Sequence, residues 1–148
     1  MSRGLGDVYK RQELKSARFK NTVHQVCMSH ANNKFVKAGN QGSEPVAIRF
    51  SNLLKRFFSK EHVYDEAGLT PEERLRERQS LETKELLIEL RSLLDSELLK
   101  DSEFRSRYYR EALNYLNWFW KEIFAYLGDG ELPIDNNLAE RTIRKLTT

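Results

Sequence analysis

Gly68-Leu69-Thr70-Pro71-Glu72-Glu73-Arg74-Leu75 decides the fold class of this chain. Gly68 suits the residue just past a helix, and Thr70 can cap the next helix, with Pro71 in its first position and Glu73 closing a capping box. Downstream, Leu75, Leu86, Leu87, Leu90, Leu93, Leu94 and Leu98 recur at three- and four-residue spacing, the signature of one buried helical face. A polar stretch from Arg78 to Glu82 interrupts them, so 71–100 reads as two helices or one bent one. Upstream, Pro45 suits the first turn of a helix carrying Ile48, Phe50, Leu53, Leu54, Phe57 and Phe58 as far as Ala67.

Beyond Leu98, Asp101 or Ser102 can cap a further helix. Its Tyr108, Ala112, Tyr115, Leu116, Phe119, Ile123 and Tyr126 make a broad aromatic face ending at Gly128-Asp129-Gly130. Three long amphipathic helices in succession imply a bundle or hairpin array. On the N-terminal side, Val23, Val26 and Cys27 offer a short strand within Asn21 to Met28, and Ser29 to Ala38 can be helical up to Gly39. Met1 to Gln12 has no sustained period and is expected to be a disordered leader or a junction scar. The expected fold is mainly α, with helices near 29–38, 45–67, 71–100, 103–127 and 135–146, and one or two short strands before residue 28.

Composition bounds the function classes. A chain of 148 residues, 39% apolar and 11% aromatic, can form one packed domain or a large piece of one. No apolar run approaches the roughly 20 residues needed to span a bilayer, and no secretory signal is evident, so a soluble bacterial cytoplasmic protein without membrane contact is expected. The single cysteine, Cys27, excludes an internal disulfide. The net charge of +3 is weak evidence for nucleic acid, because residues 1–12 carry Arg3, Lys10 and Arg11 against Asp7 and leave 22 basic and 21 acidic residues elsewhere. A case for DNA must therefore rest on local clusters.

One such cluster ends the chain, in Leu132-Pro133-Ile134-Asp135-Asn136-Asn137-Leu138-Ala139-Glu140-Arg141-Thr142-Ile143-Arg144. Asp135 can cap a helix through the amides two and three residues on, and Ile134 can pack on its first turn. Asn136, Asn137, Glu140 and Arg144 then fall on or near one face, while Leu138 and Ile143 point elsewhere. An Asp-capped helix with a surface Glu/Arg pair is common, so these features alone leave a structural role open.

The run resembles the end of the catalytic domain in transposases of the insertion sequence 66 family, whose pattern is L-P-I-D-N-N-x-A-E-R-x-I-R. Gly68 to Leu75 followed by Arg78-Gln79 is similar to that family's G-L-S-P-E-E-R-L…R-Q, and Cys27-Met28-Ser29-His30-Ala31-Asn32-Asn33-Lys34-Phe35 to its C-W-A-H-A-R-R-K-F. The resemblance covers residues 21–148. It departs at Met28 for Trp and at Asn32 and Asn33 for the paired Arg, a loss of two charges that could meet phosphate.

The resemblance implies an Asp-Asp-Glu enzyme with a ribonuclease-H-like α/β core. Glu140 is then the third acidic residue and a metal ligand, with Asp135, Asn136, Asn137 and Arg141 in support. Such enzymes cleave and transfer DNA strands with three carboxylates holding two divalent metals about 4 Å apart. Mg²⁺ fits that role through its preference for oxygen ligands and phosphate. The partners implied are transposon ends and target DNA, with a homo-oligomer possible in principle. Arg144 and Lys145, beside Arg141, form the sharpest basic cluster, and Arg141 can instead pair with Glu140 or Asp135. Lys34 is a further candidate for DNA contact, and Trp120 is either a core anchor or a platform for an unpaired base.

The other two acids should come from earlier strands. Asp7 stands 20 residues before Cys27 with Tyr9 after it, but Met1 to Gly6 cannot supply a core strand, and no first acid is present. The expectation is a C-terminal fragment of a catalytic domain, with a helical insertion at 43–128 and the catalytic helix at 132–146, inactive alone. Cys27, His30 and His24 invite a zinc reading, yet a structural zinc site needs four ligands and His62 is distant in sequence, so packing at a strand–helix junction is expected instead. The rival from another class is a non-catalytic helical interaction module using the Leu and aromatic stripes. A remnant core would leave apolar surface exposed, so self-association is expected.

Overall fold

Glycine at 68 takes φ +62°, the left-handed conformation that ends a helix without cost to a side chain, and its amide bonds back to Asp65. Two residues on, Thr70 Oγ1 accepts the Glu73 amide at 3.2 Å while Glu73 Oε1 accepts the Thr70 amide at 2.9 Å. The stop and the start read from the sequence are therefore both present. The computed structural model describes residues 27–100 and 105–135. Among them the elements are α1 (Met28–Gln41), α2 (Pro45–Ala67), α3 (Pro71–Arg78), α4 (Leu81–Leu99), α5 (Arg107–Trp118), α6 (Trp120–Ile123) and a 3₁₀ turn, Ala125–Gly128.

The protein is mainly helical, and no strand occurs among the described residues. The expected strand falls on 21–26, outside them, apart from Cys27, which caps α1, and Met28, which opens it. Helix α1 runs on through Gly39 and ends at Gly42, whose amide bonds to Ala38. The polar stretch after Arg78 resolves into a true break. Ser80 Oγ caps α4 by accepting the Thr83 amide at 3.3 Å, and the Thr83 hydroxyl donates to the Glu77 carbonyl.

The expected helix 135–146 lies outside the described residues beyond Asp135, and the expected helix 103–127 needs correcting at both ends. Residues 101–104 lie outside the described residues, and α5 is capped by Ser106, which accepts the Tyr109 amide. After Trp118 the chain breaks at Phe119 and again at Phe124. The breaks have a packing cause, since Phe119, Ile123, Phe124 and Tyr126 are all buried. One straight helix would turn Phe124 away from the stripe that holds the other three.

Helix α1 packs against α2 and α5, and α4 closes on α2 and α5. Phe35 stacks on Phe50 at 4.5 Å and 11°, and Tyr109 meets both rings edge-on. Asn32, one of the replaced arginine positions, has a structural use: its Oδ1 accepts the buried Ser51 hydroxyl of α2 at 2.7 Å. Helix α4 buries Leu86, Leu90 and Leu94 and leaves Leu81, Ile88 and Leu99 exposed. No helix among the described residues is long and apolar enough to cross a membrane.

Candidate functional site

Arg78, the last residue of α3, is 2% exposed, and a guanidinium so placed must satisfy all of its donors within the protein. Two go to one carboxylate of α2, with Nε to Glu61 Oε2 at 3.0 Å and Nη2 to Glu61 Oε1 at 2.6 Å. This is the fork-on-carboxylate geometry that lysine cannot reproduce. Nη1 turns the other way and donates to the carbonyls of Tyr126, at 3.0 Å, Leu132, at 2.8 Å, and Asp129. The guanidinium also lies 4.8 Å from the centre of the Tyr126 ring. Arg74 supports Glu61 from the solvent side at 3.0 Å and pairs with Asp65.

The turn gripped by Arg78 has local reasons for its shape. Asp129 Oδ1 accepts the amides of Glu131, at 2.6 Å, and Leu132, at 3.1 Å, folding the chain back on itself. Gly130 lies against α3, where a Cβ would stand 1.9 Å from the Pro71 carbonyl oxygen, so no other residue fits there without moving the turn. Leu132 then buries its side chain in the core, and Ile134 packs against it. Burial, and next the charge of Glu61, pushes the Tyr126 hydroxyl well above the ordinary tyrosine value.

Asp135 closes the segment. Its Oδ1 accepts the Ser29 amide at 3.2 Å and the Ser29 hydroxyl at 2.6 Å. Cys27, in the N-cap position of α1, makes no side-chain cap of its own, so Asp135 places an acceptor and a carboxylate at that helix N-terminus from a distant part of the chain. Beside it, Cys27 Sγ and His30 Nδ1 are 2.9 Å apart.

The remaining sequence candidates separate. Glu140, Asn136, Asn137, Arg141, Arg144, Lys145, His24 and Asp7 lie outside the described residues. The Lys34 ammonium stands 5.1 Å over the Tyr115 ring, beside a shallow depression formed with Glu111, Asn114 and Trp118. Trp120 packs on Phe124 at 4.5 Å and carries the Arg91 guanidinium 4.9 Å over its ring. His62 stands with Glu66 on an exposed part of α2. Among the described residues no group of three or more His, Cys, Asp or Glu is placed to hold a metal ion. They do not by themselves fit the Mg²⁺ site that the sequence implies.

Sequence reading passed over Arg78, Glu61, Ser29 and Gly130 as site residues. Arg78 and Ser29 sit inside the quoted segments, but only their partners reveal their use, and those are 17 to 106 residues away.

What emerges is a helical platform whose polar interior grips a peptide segment. The family model described as Transposase IS66 family matches residues 6–148, and the chain belongs to that family. It is also 27% identical over 121 residues to the uncharacterized protein y4jD of Sinorhizobium fredii (strain NBRC 101917 / NGR234), an overlap of 81% of this chain and 22% of that protein. The chain thus spans about a fifth of the length of that relative. No solved structure matches.

Proposed function

We propose that this chain is the C-terminal part of the catalytic domain of a DNA transposase, and that its helical platform presents Glu140 as the third carboxylate of an Asp-Asp-Glu site. One observation carries the reading. The three segments that resemble the family, Cys27–Phe35, Gly68–Gln79 and the start of Leu132–Arg144, converge on one turn, through Ser29 to Asp135 and Arg78 to Leu132. Motifs of unrelated purpose have no reason to meet.

In this reading the reaction is in-line attack of water or a DNA 3′-hydroxyl on a phosphodiester, with the leaving oxygen departing opposite. Mg²⁺, held by Glu140 and by two carboxylates from the rest of the transposase, would supply charge stabilisation. The part of this chain is to orient and support: Asp135 is held by Ser29, Asn136, Asn137 and Arg141 flank the acid, and Arg144 and Lys145 meet phosphate. Lys34 is a secondary DNA contact, and Trp120, packed on Phe124 under Arg91, anchors the fold. The ribonuclease-H-like core and the assembly of copies belong to the complete transposase.

The test is excision of a marked element in cells by the complete transposase. Glu140→Gln should lower the frequency by about a thousandfold or more, the several kcal/mol a metal supplies to such a displacement. Undiminished excision would overturn the reading. A second reading, a non-catalytic interaction module, rests on Leu81, Ile88 and Leu99, which line one exposed face of α4. It predicts the reverse result, with excision indifferent to Glu140.

A further inference from the structure

We infer that the solvent face of α2, carried by Arg49, Asn52, Lys55, Arg56 and Ser59, is a docking surface for the phosphate backbone of duplex DNA. It is separate from the turn held by Arg78 and independent of the catalytic reading of Glu140. The observation behind it is an uneven spread of charge. Residues 28–60, which form α1 and most of α2, carry Lys34, Lys37, Arg49, Lys55, Arg56 and Lys60 against Glu44 alone, a balance of +5. Residues 61–100 carry 6 basic and 11 acidic residues, a balance of −5, and residues 105–135 carry 4 and 5, a balance of −1. A chain close to neutral thus has one strongly positive hairpin. Its one acid is engaged, since Glu44 Oε1 accepts the Ser106 amide at 3.3 Å.

Helical geometry turns that balance into a stripe. At about 100° per residue, Arg49, Asn52, Arg56 and Ser59 fall within one sector of roughly 80°, and Lys55 borders it. All five side chains are exposed. The stripe runs for about 15 Å, the axial length of about four phosphates on one strand. Helix stability does not ask for it: no acid stands in the first turn of α2, and Arg56 and Lys60 are like charges four residues apart. Among the described residues no carboxylate pairs with Arg49 or Lys55. Arg56 reaches only Glu89, at 3.8 Å and largely in solvent. At the far end Arg56, Ser59 and Lys60 border an open depression with Val63 and Glu82, a seat for one phosphate. The chemistry selects the partner. Two guanidinium groups, an ammonium, an amide and a hydroxyl all donate to phosphate oxygen, and such contacts hold a protein on a duplex without reading its sequence. An anionic membrane is a poorer match, because a helix lying in a bilayer surface inserts its apolar face, and α2 buries that face, Phe50, Leu53, Leu54 and Phe57, in the core.

The experiment measures binding of the full 148-residue chain to short fluorescent duplexes, one with a transposon-end sequence and one unrelated, by anisotropy in a chelating buffer across a salt titration. Arg49→Gln/Lys55→Gln/Arg56→Gln should weaken binding by about tenfold or more on both sequences. It should also lower the slope of log affinity against log salt by about two to three, near 0.9 per lost phosphate contact. Arg49→Lys/Arg56→Lys should keep the wild-type slope, because counterion release counts charge. Arg76→Gln/Lys84→Gln/Lys121→Gln removes the same charge from exposed positions on α3, α4 and α6 and should stay within about twofold of wild type. Equal losses in the two triple variants would reduce the effect to net charge and overturn the inference, as would an unchanged slope in the first. Failure of the wild-type chain to bind either duplex, or stripe-dependent binding to phosphatidylserine vesicles in its place, would overturn it too. Asn52→Glu, which sets a carboxylate amid the cations, should weaken binding likewise, and it decides if the first triple variant loses helical circular dichroism. Because no cleavage is read, the result stands whatever Glu140 proves to do.

Discussion

Asp135 Oδ1 accepts two hydrogen bonds from Ser29, a residue 106 positions earlier, one from the amide at 3.2 Å and one from the hydroxyl at 2.6 Å. The contact joins the first described helix to the last described residue and lets a carboxylate serve as an external cap. Ser29→Ala should therefore cost about 1–2 kcal/mol, the range for a hydrogen bond to a charged group that keeps its second, backbone donor. Urea denaturation would measure it, and Asp135→Asn should lose a similar amount. Additive losses in the double variant would show that the two side chains are not coupled.

Phe50 has its ring stacked on Phe35 and met edge-on by Tyr109, and it has no exposed surface. Phe50→Ala should destabilise the fold by about 3–5 kcal/mol, combining lost transfer energy with the cavity left between α1, α2 and α5. Phe50→Leu should recover most of this. Equal losses for both, by chemical denaturation, would place the stability elsewhere.

Stability should fall at both ends of the pH scale, for different groups. Burial foremost holds the hydroxyls of Tyr64, Tyr109 and Tyr126 above the ordinary tyrosine value, and at Tyr109 the bond to Glu97 adds to it. Their contribution is whole below the unfolded tyrosine value near pH ~10 and is lost as pH rises beyond it, where unfolded tyrosines ionise and the native ones do not. Tyr126→Phe should flatten part of that alkaline limb in denaturation curves run from pH 9 to 12.

Glu97 works in the opposite sense. Burial alone would raise its carboxyl, but hydrogen bonds from Lys100 and Tyr109 and the charge of Arg105 outweigh it and leave the value lowered. Its contribution is present above the unfolded carboxylate value and is lost as pH falls through the lowered native one. Glu97→Gln should make the acid limb shallower, and an unchanged acid limb would contradict the assignment.

Trp120 presents a choice that the sequence left open between core anchor and base platform. Its ring is packed on Phe124 and has Arg91 above it, with Arg91 also held by Asn117 at 2.9 Å and Asp95 at 2.8 Å. Trp120→Ala should thus cost about 3 kcal/mol in urea denaturation, near the low end for a large aromatic because the side chain is only partly buried. A loss under about 0.5 kcal/mol, the range of ordinary surface changes, would return the residue to the DNA-binding role.

Local signals were readable from sequence to the residue. Gly68, Thr70 and Pro71 act over one or two turns, and so α2 and the start of α3 came out where the spacing put them. The breaks at Gln79 and Phe119 were blurred because they are settled by which side chains the core can accept, a property of neighbours far along the chain. The site divides in the same way. Asp135 was legible as the start of a motif, but its tie to Ser29 was not. Arg78 looked like one more charge in a polar stretch, since nothing in the spacing of Glu61 and Leu132 announces that both will meet it.

The most direct measurement compares two acids of one short segment in the complete transposase: Mg²⁺-dependent cleavage of transposon-end DNA by Glu140→Gln and by Glu131→Gln, whose residue is exposed on the turn. The account predicts that Glu140→Gln loses cleavage by about a thousandfold or more while Glu131→Gln stays within about twofold of wild type, at equal DNA affinity. Cleavage by Glu140→Gln at the wild-type rate would contradict it.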